Sequence, residues 1–324
     1  MSGKPRAVAQ AEDGLRLDKW LKGRFPNLPF GVLQKLLRTG QVRVNGRRAK
    51  PGDRLEAGQE VRVPNLADFE GPSLKAPLGV SKGDREFIER MILYEDEHLF
   101  ILNKPPGVAV QGGTKAARHI DGLLAGMADR FGGERPRLAH RLDRDTSGVL
   151  LVAKSRDMAA KLGRMFQTRS LKKIYWAVLV GVPAPPQGKV EAALVKTAGP
   201  DGDRVRKAEP GEQNEAQSAV THYSVVDRTL SHAWASLTPV TGRQHQLRAH
   251  MDVLGTPILG DNKYGGDKST PVGVANRLHL HARRLIFHHP RKGRMDVTAP
   301  LPEHMRATFA AFGFNEGDNR EGEE

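Results

Sequence analysis

A stretch without hydrophobic periodicity divides the chain into two unequal parts. Residues 65–86 read NLADFEGPSLKAPLGVSKGDRE and are rich in Gly, Pro and charged residues, as interdomain linkers are. The length of 324 residues fits about two domains at roughly 150 residues each. We therefore predict a small domain over 12–64, a linker over 65–86, a larger domain over 87–314 and an acidic, disordered tail over 315–324.

An excess of positive charge predicts a polyanionic partner. The chain carries 51 Lys and Arg against 37 Asp and Glu, a net charge of +14. Residues 1–64 alone hold 14 Lys and Arg and 6 Asp and Glu, a net charge of 14 − 6 = +8. Balanced charges would serve solubility equally well, whereas charges of one sign attract phosphate. The small domain is therefore expected to bind nucleic acid.

Other classes of protein are excluded by composition. The chain has no cysteine, which rules out disulfides, thiolate catalysis and Cys-ligated zinc. No apolar run approaches the roughly 20 residues that a membrane-spanning helix requires, and the first residues, MSGKPRAVAQAEDG, do not resemble a signal peptide. We expect a cytoplasmic protein without a membrane partner.

The small domain has the pattern of two short helices followed by a small sheet. Hydrophobic residues recur at helical spacing on both sides of a Pro-containing break, at Leu17, Trp20, Leu21 and Phe25 and then at Val32, Leu33, Leu36 and Leu37. Asn45-Gly46 predicts a two-residue hairpin turn, and Val61 and Val63 close the sheet.

This order of elements resembles an S4 domain, a compact RNA-binding module. The resemblance implies that basic residues of the second helix and the hairpin contact RNA, here Lys35, Arg38, Arg43, Arg47 and Arg48. The segment Pro29-Phe30-Gly31 departs from the pattern, because S4 domains often begin the second helix with Ser and Arg.

The larger domain reads as many short strands with few helices, which favours an α+β fold over regular strand–helix alternation. Strands are predicted at 92–94, 99–102, 149–153, 174–180, 219–226, 233–237 and 278–287. Ser155 can cap a helix, and a second helix is predicted over 244–254. The polar stretch 197–217 is interpreted as a surface excursion rather than a missed element.

The densest chemistry lies in HRLDRDTSG, residues 140–148, between predicted strands. Loops at strand ends often carry function, and a carboxylate among guanidinium groups stays ionised, as a nucleophile must. In the structural alternative, Asp145 and Thr146 bond their own backbone as a polar turn while Asp143 pairs with an arginine.

A second polar cluster, TGRQHQLRAH, begins the helix predicted over 244–254. That helix would place Gln244 and Arg248 on one face, with His245 close to the same face. Arg248 lies between two apolar residues, and a partly buried arginine requires a carboxylate partner. An exposed, polar helix start is the structural alternative.

Five stretches of the larger domain resemble the RluA family of pseudouridine synthases. They are, in the family order, ILYEDEHLFILNKPPGVAVQGG, HRLDRDTSGVLLVAK, KKIYWAVLVG, TGRQHQLRAH and PILGDNKYGG. With the S4-like domain the resemblance covers about residues 12–312 and is closest in kind to the enzymes that modify large-subunit ribosomal RNA. It implies a curved, mixed, largely antiparallel sheet with flanking helices. Gln111 is a departure, because relatives often have His before this Gly-Gly.

The resemblance also implies roles for individual residues. By motif position, Asp143 is the essential aspartate, Tyr175 the active-site tyrosine and Arg248 the ion-pair partner of the aspartate. Arg141 would help to displace the target base. The neighbouring motif residues are expected to contact RNA, namely His140, Arg243, Gln244 and His245.

The implied reaction converts uridine to pseudouridine in RNA without a cofactor or a metal. The carboxylate of Asp143 can attack C1′ of the ribose, assist loss of the C2′ proton or attack C6 of the base, and the sequence does not choose among these routes. Chemistry at the sugar is our working hypothesis. The target base must also be extruded from the RNA stack.

Two rival interpretations stay open at this stage. The spacing of Asp143, Asp145 and Ser147 superficially resembles phosphohydrolases with an aspartyl nucleophile, although those enzymes place the motif after an apolar strand and before a helix. A non-catalytic RNA-binding factor could retain the same scaffold. The 12 histidines lack the spacing of metal ligands and are expected to be structural or exposed. We expect a monomer.

Overall fold

The computed structural model describes residues 5–69, 81–112, 118–131, 136–197, 203–265 and 270–318. The chain forms two compact units, which meet in sequence between Gly79 and Val80. Residues 82–86 of the predicted linker are helical, so the second unit begins earlier than predicted. Within the described residues, no helix is long and apolar enough to cross a membrane.

The first unit contains two helices, α1 (Leu17–Arg24) and α2 (Phe30–Arg38). Its strands are β1 (Arg6–Ala7), β2 (Arg43–Val44), β3 (Arg47–Arg48) and β4 (Glu60–Arg62), in the sheet order β1-β4-β2-β3. Asn45 and Gly46 have φ angles of 46° and 75°, as the tight turn between β2 and β3 requires. The hydrophobic residues predicted to face the core are buried except Val32, which is 38% exposed.

The second unit is built on a large sheet with a separate two-stranded hairpin. Its strands are β5 (Ile92–Glu95), β6 (Leu99–Lys104), β7 (Arg137–Leu138), β8 (Ser147–Ala153), β9 (Leu171–Val180), β10 (Gln187–Glu191), β11 (Leu194–Thr197), β12 (Arg204–Lys207), β13 (Val220–Arg228), β14 (His232–Pro239), β15 (Leu280–His289) and β16 (Gly293–Thr298). Its helices are α3 (Lys82–Glu89), α4 (Ile120–Ala125), α5 (Arg156–Thr168), α6 (Gln246–Val253) and α7 (Glu303–Phe312).

The large sheet is mixed and mainly antiparallel, which confirms the predicted α+β class. Its main order is β10-β13-β14-β9-β15-β8-β6-β5, with β16 also paired to β15 and β7 to β8. Among the pairings described for this sheet, β15 with β8 is the parallel one. Helix α5 begins as predicted, because the hydroxyl oxygen of Ser155 accepts a hydrogen bond from the Met158 amide.

A glycine at the start of β8 brings the HRLDRDTSG loop against β15. Gly148 has a φ of +106°, and a Cβ atom there would lie 2.2 Å from the carbonyl oxygen of Ala282. A side chain is therefore excluded at this position both by backbone conformation and by space. The close parallel contact fixes the end of the loop that carries Asp143.

Two predictions about irregular segments are corrected. The segment 197–217 contains β12, which pairs with β11, so the predicted surface excursion includes a hairpin strand. Four-residue strands are too short to reveal their alternation among charged residues. In the predicted disordered tail, Glu316–Asp318 form a helical turn, and Glu316 pairs with Arg283 at 3.0 Å. Residues 319–324 lie outside the described residues.

Candidate active site

Both polar motifs line one cavity of the second unit. The cavity has a volume of about 710 Å³, within the range of roughly 300–1,000 Å³ that binds small ligands. Its walls come from the HRLDRDTSG loop, the end of α5, the start of β9 and the TGRQHQLRAH segment. The sequence places these segments far apart, and the central strands of the sheet bring them together.

Asp143 presents its carboxylate to this cavity. Its side chain is 29% exposed, and Nε2 of His245 lies 4.0 Å from its Oδ2 atom. The loop is held locally by a turn, in which the Thr146 amide donates to the carbonyl oxygen of Asp143 at 3.2 Å. Leu142 is buried in a hydrophobic cluster and anchors the loop.

Arg248 lines the cavity but pairs with a different carboxylate from the one expected. Its Nε and Nη2 atoms donate to Asp261 at 2.7 and 2.6 Å, and the two side chains are 7% and 0% exposed. No ion pair within 4.0 Å joins Arg248 to Asp143 among these described residues, so the expected direct pair is wrong in this geometry. Burial opposes the charge of Arg248, but the bonds to Asp261 and the charges of Asp261 and Asp143 outweigh it and raise the pKa of Arg248.

Backbone hydrogen bonds and a tight turn hold Asp261 in position to bind this arginine. Its Oδ1 atom also accepts hydrogen bonds from the amides of Lys263 and Tyr264, at 3.0 and 3.1 Å. The preceding Gly260 has a φ of +70°, and a Cβ there would lie 2.0 Å from the carbonyl oxygen of Arg277. The partly buried Arg248 was expected to need a carboxylate, and Asp261 lies in the motif PILGDNKYGG, but the sequence does not show that the two side chains meet.

Tyr175 projects from β9 into the cavity between two hydrophobic clusters. Burial raises the pKa of its phenol, and the negative charge of Asp143 raises it further. Tyr175 is therefore a neutral phenol, which can stack on a base or donate a hydrogen bond but is unsuited to act as a general base.

Two cations at the cavity were missed by the sequence analysis. Lys173 lies two residues before Tyr175 and therefore on the same face of β9. Arg169 ends α5 in a left-handed conformation with a φ of 58°. Burial lowers the pKa of Lys173, and the nearby charge of Arg169 lowers it further. The alternation of the strand around Tyr175 was the available signal for Lys173.

His140 has a supporting position in the cavity wall. Its Nε2 atom accepts a hydrogen bond from the Leu151 amide at 3.0 Å, and its ring stacks on Phe166 at 4.5 Å between centroids. Burial lowers the pKa of His140 to about 4, and Lys173 adds to this effect. A neutral imidazole committed to these contacts holds the loop in place, whereas the sequence analysis expected an RNA contact.

The other expected RNA contacts separate into those at the cavity and one outside it. Arg141 is exposed and lines the cavity, and Arg243 also lines it while donating to the carbonyl oxygen of Ser218 at 3.1 Å. Gln244 is exposed and is not among the lining residues, because α6 begins at Gln246 rather than at residue 244. The Gln246 amide instead binds Thr241 and the backbone of Arg243 and Val220.

Lys104 supports the Asp143 loop from below. Its side chain is fully buried, and the amine donates to the carbonyl oxygens of Pro105, Val108 and Arg144, each at 2.9 Å. Burial lowers the pKa of Lys104 to about 7, opposed by the charges of Asp145 and Asp143.

The first unit carries a row of arginines across its sheet. Arg43 lies directly opposite Arg48 on one neighbouring strand and Arg62 on the other, and all three are exposed. Like charges directly opposite each other destabilise a sheet, so this row favours an anionic partner. Lys35, Arg38 and Arg47 are exposed as well. Arg62 was missed because it is distant in sequence from the predicted hairpin.

Comparison with known proteins agrees with this architecture. Residues 98–252 match the family model described as RNA pseudouridylate synthase, and residues 15–61 match that of the S4 domain. The chain is 35% identical over 94% of its length to ribosomal large subunit pseudouridine synthase C of Haemophilus influenzae, covering 94% of that protein. It is 37% identical over 93% of its length to the protein of the same name from Escherichia coli, of which it covers 93%.

A solved structure of a human protein shares the fold of the second unit. Human RNA pseudouridylate synthase domain containing 4 is 33% identical, with a TM-score of 0.60 over 71% of this chain and 96% of that chain. The resemblance expected from the five motifs and from the S4-like pattern is thus confirmed. The chain belongs to the family of RNA pseudouridylate synthases and carries an S4 domain.

Proposed function

We propose that this enzyme isomerises specific uridines of large-subunit ribosomal RNA to pseudouridine, acting as a cytoplasmic monomer. The names of the Haemophilus and Escherichia relatives, each matched over more than nine-tenths of its length, support the choice of RNA. The positive charge of the chain and the S4 domain support a polyanionic substrate.

The reaction itself needs no net oxidation, reduction or group loss. The bond between N1 of the uracil and C1′ of the ribose breaks, the base rotates, and a bond forms between C5 and C1′. The proton on C5 is removed, and N1 of the product carries a proton in turn. Such an isomerisation requires a group that acts on the nucleoside and a cavity that retains the detached base.

The observation that carries the proposal is the accessible carboxylate of Asp143 in a cavity rimmed by cations. Its side chain is 29% exposed, and Arg141, Lys173 and Arg248 line the same space. An ionised carboxylate in this position can act at the sugar, where we place the first step. Positive charge around it attracts the flanking phosphates.

Two residues beside Asp143 are assigned to the extrusion of the target base. Tyr175 is a neutral phenol on the cavity wall, so we assign it to stacking and hydrogen bonding. Arg141 is exposed at the cavity, and we assign its guanidinium to the space that the base leaves in the RNA stack. Extrusion costs a few kcal/mol, which contacts along the RNA backbone can offset.

The decisive experiment is pseudouridine mapping in large-subunit ribosomal RNA. Cells lacking the protein would be compared with cells carrying the wild type or Asp143→Asn. We expect sites that disappear on deletion, return with the wild type and stay absent with Asp143→Asn. If the map is unchanged on deletion, large-subunit ribosomal RNA is not the substrate. If Asp143→Asn restores the missing pseudouridines, the protein would have a non-catalytic RNA-binding role.

A further inference from the structure

Tyr264 occupies a central position beside the cavity that the reaction described above does not use. Its ring is 5% exposed and lies between two guanidinium groups, those of Arg204 and Arg248, each 5.0 Å from the ring centroid. Its hydroxyl oxygen accepts a hydrogen bond from the Val205 amide at 3.0 Å. The same oxygen lies 3.0 Å from Nδ1 of His245.

This hydrogen-bond pattern determines which nitrogen of His245 carries the proton. A tyrosine hydroxyl has a single proton to donate, and the Val205 amide already donates to its oxygen. If Nδ1 of His245 were also a donor, the buried hydroxyl proton of Tyr264 would have no acceptor among the contacts described for it. The hydroxyl therefore donates to Nδ1, and a neutral His245 carries its proton on Nε2.

The protonated nitrogen is the one that faces the reactive carboxylate. Nε2 of His245 is 4.0 Å from Oδ2 of Asp143, and the imidazole is 11% exposed. Its N–H is thus directed at the carboxylate that would act on the nucleoside. A small closing movement of the loop would convert this distance into a hydrogen bond, since catalytic contacts are often long before substrate binds.

The backbone of His245 is held in an unfavourable conformation at this point. It has φ and ψ angles of 50° and 20°, in the left-handed region, immediately before α6. For a residue other than glycine this conformation is strained and persists only where surrounding contacts impose it. Here the bond to Tyr264 and the following Gln246, with its side-chain bonds to Thr241 and Val220, impose it.

We propose that Tyr264 and His245 are positioning residues of the active site: the Tyr264 hydroxyl fixes the Nε2–H form of His245, and that N–H orients the carboxylate of Asp143. The Val205 amide of the β11–β12 hairpin directs the Tyr264 hydroxyl and so completes the chain of contacts. The inference rests on the proposed function of Asp143.

The first test replaces only the hydroxyl. Tyr264→Phe retains the ring between the two guanidinium groups but removes the donor to His245. We expect kcat for pseudouridine formation to fall by roughly 10–100-fold, the size of the loss when a hydrogen bond that orients a metal-binding histidine is removed, with little change in KM for RNA. Tyr223→Phe is the matched control, because this tyrosine is also buried and its hydroxyl donates to the Pro185 carbonyl oxygen, away from the cavity. A kcat for Tyr264→Phe within twofold of that of Tyr223→Phe would overturn the proposal.

The second test needs no catalysis. Nitrogen-15 spectra of the histidine side chains, assigned by comparison with His245→Gln, should show His245 of the wild type protonated at Nε2, and this preference should be lost in Tyr264→Phe. A wild-type His245 protonated at Nδ1 would overturn the positioning role even if the enzyme is active. Failure of the proposed function would appear differently, as an inactive wild type on ribosomal RNA with the expected His245 spectrum.

His245→Gln, which keeps an N–H near Asp143, should retain about tenfold more activity than His245→Ala, corresponding to about 1.4 kcal/mol.

Discussion

The two units of this enzyme use charge in opposite ways. In the S4 unit the arginines of the cross-strand row, Arg43, Arg48 and Arg62, are exposed, and the unit contains no histidine. In the catalytic unit, Arg248 and Lys104 are buried and bound to specific partners. All 12 histidines of the chain also belong to this unit.

This difference separates the cations that contribute affinity for RNA from those that fix the geometry of the active site. Exposed cations attract RNA through salt-sensitive contacts that add up and are individually replaceable. Buried cations have given up hydration and are stable only with their partners, so each fixes a particular arrangement of the backbone. Substitutions in the two units should therefore differ in size and in the quantity they change.

The largest effect is expected from breaking the buried ion pair. Arg248→Ala leaves Asp261 charged and buried, which should lower the free energy of unfolding by about 3–5 kcal/mol and abolish activity. Arg284→Ala is the control, because its forked pair with Asp296 has the same geometry but side chains 21% and 31% exposed. That loss should be at most about 1 kcal/mol.

Denaturant unfolding in a Trp20→Phe background measures these losses in the catalytic unit, where Trp176 and Trp234 then report. Equal losses of stability for Arg248→Ala and Arg284→Ala would remove the distinction between buried and partly exposed cations. The double variant Arg248→Met/Asp261→Asn sharpens it, since it removes both buried charges and keeps an acceptor for the amides of Lys263 and Tyr264. It should recover part of the lost stability but should not restore pseudouridine formation.

Acid should destabilise the catalytic unit before the S4 unit. Burial lowers the pKa of His279 to about 4 and that of His281 to about 3, and both side chains are fully buried. The unfolded chain, with a pKa near 6.5, binds these protons first as the pH falls, so stability is full above about pH 6.5 and declines below it. At pH 5 each imidazole should account for about 2 kcal/mol, or about 4 kcal/mol together.

The indole signals of the three tryptophans test this order in the intact protein. In denaturant, the midpoint at which the native signals of Trp176 and Trp234 are lost should be lower at pH 5 than at pH 6.5, while the midpoint for Trp20 stays unchanged. Equal shifts of all three midpoints would contradict the contrast between the units. The contrast is expected because the S4 unit has no histidine, and therefore no buried imidazole for acid to protonate.

A smaller effect is expected at Lys104. Lys104→Met retains the apolar stem but leaves three carbonyl acceptors without their donor, which should cost about 2–3 kcal/mol and lower kcat through movement of the Asp143 loop. Lys161→Met is the control, because its pair with Asp157 is exposed and worth about 0.5 kcal/mol or less. A Lys104→Met enzyme with unchanged stability in denaturant would show that the loop is held without this lysine.

The sequence predicted the α+β class, the S4 domain and the family because those depend on local periodicity and on motifs. It also required a carboxylate for the partly buried Arg248. It could not identify Asp261 as that carboxylate, because the partner is chosen by a turn that only Gly260 allows and by two backbone amides. The three acceptors of Lys104 were hidden for the same reason, since backbone carbonyls carry no sequence signal.

The smallest effect is expected in the arginine row of the S4 unit. Arg43→Ala and Arg62→Ala should each reduce the slope of log affinity against log salt by about 0.7–0.9, the release of counterions from one phosphate, with a higher KM and an unchanged kcat. Arg54→Ala removes an exposed cation outside the row, whose guanidinium donates to Gly14, and should leave the slope unchanged. A pocket variant such as Tyr264→Phe should do the reverse, lowering kcat at constant slope. Equal slopes for Arg43→Ala and Arg54→Ala would mean that the row is not a phosphate contact, and affinity would then have to come from the cations around the catalytic cavity.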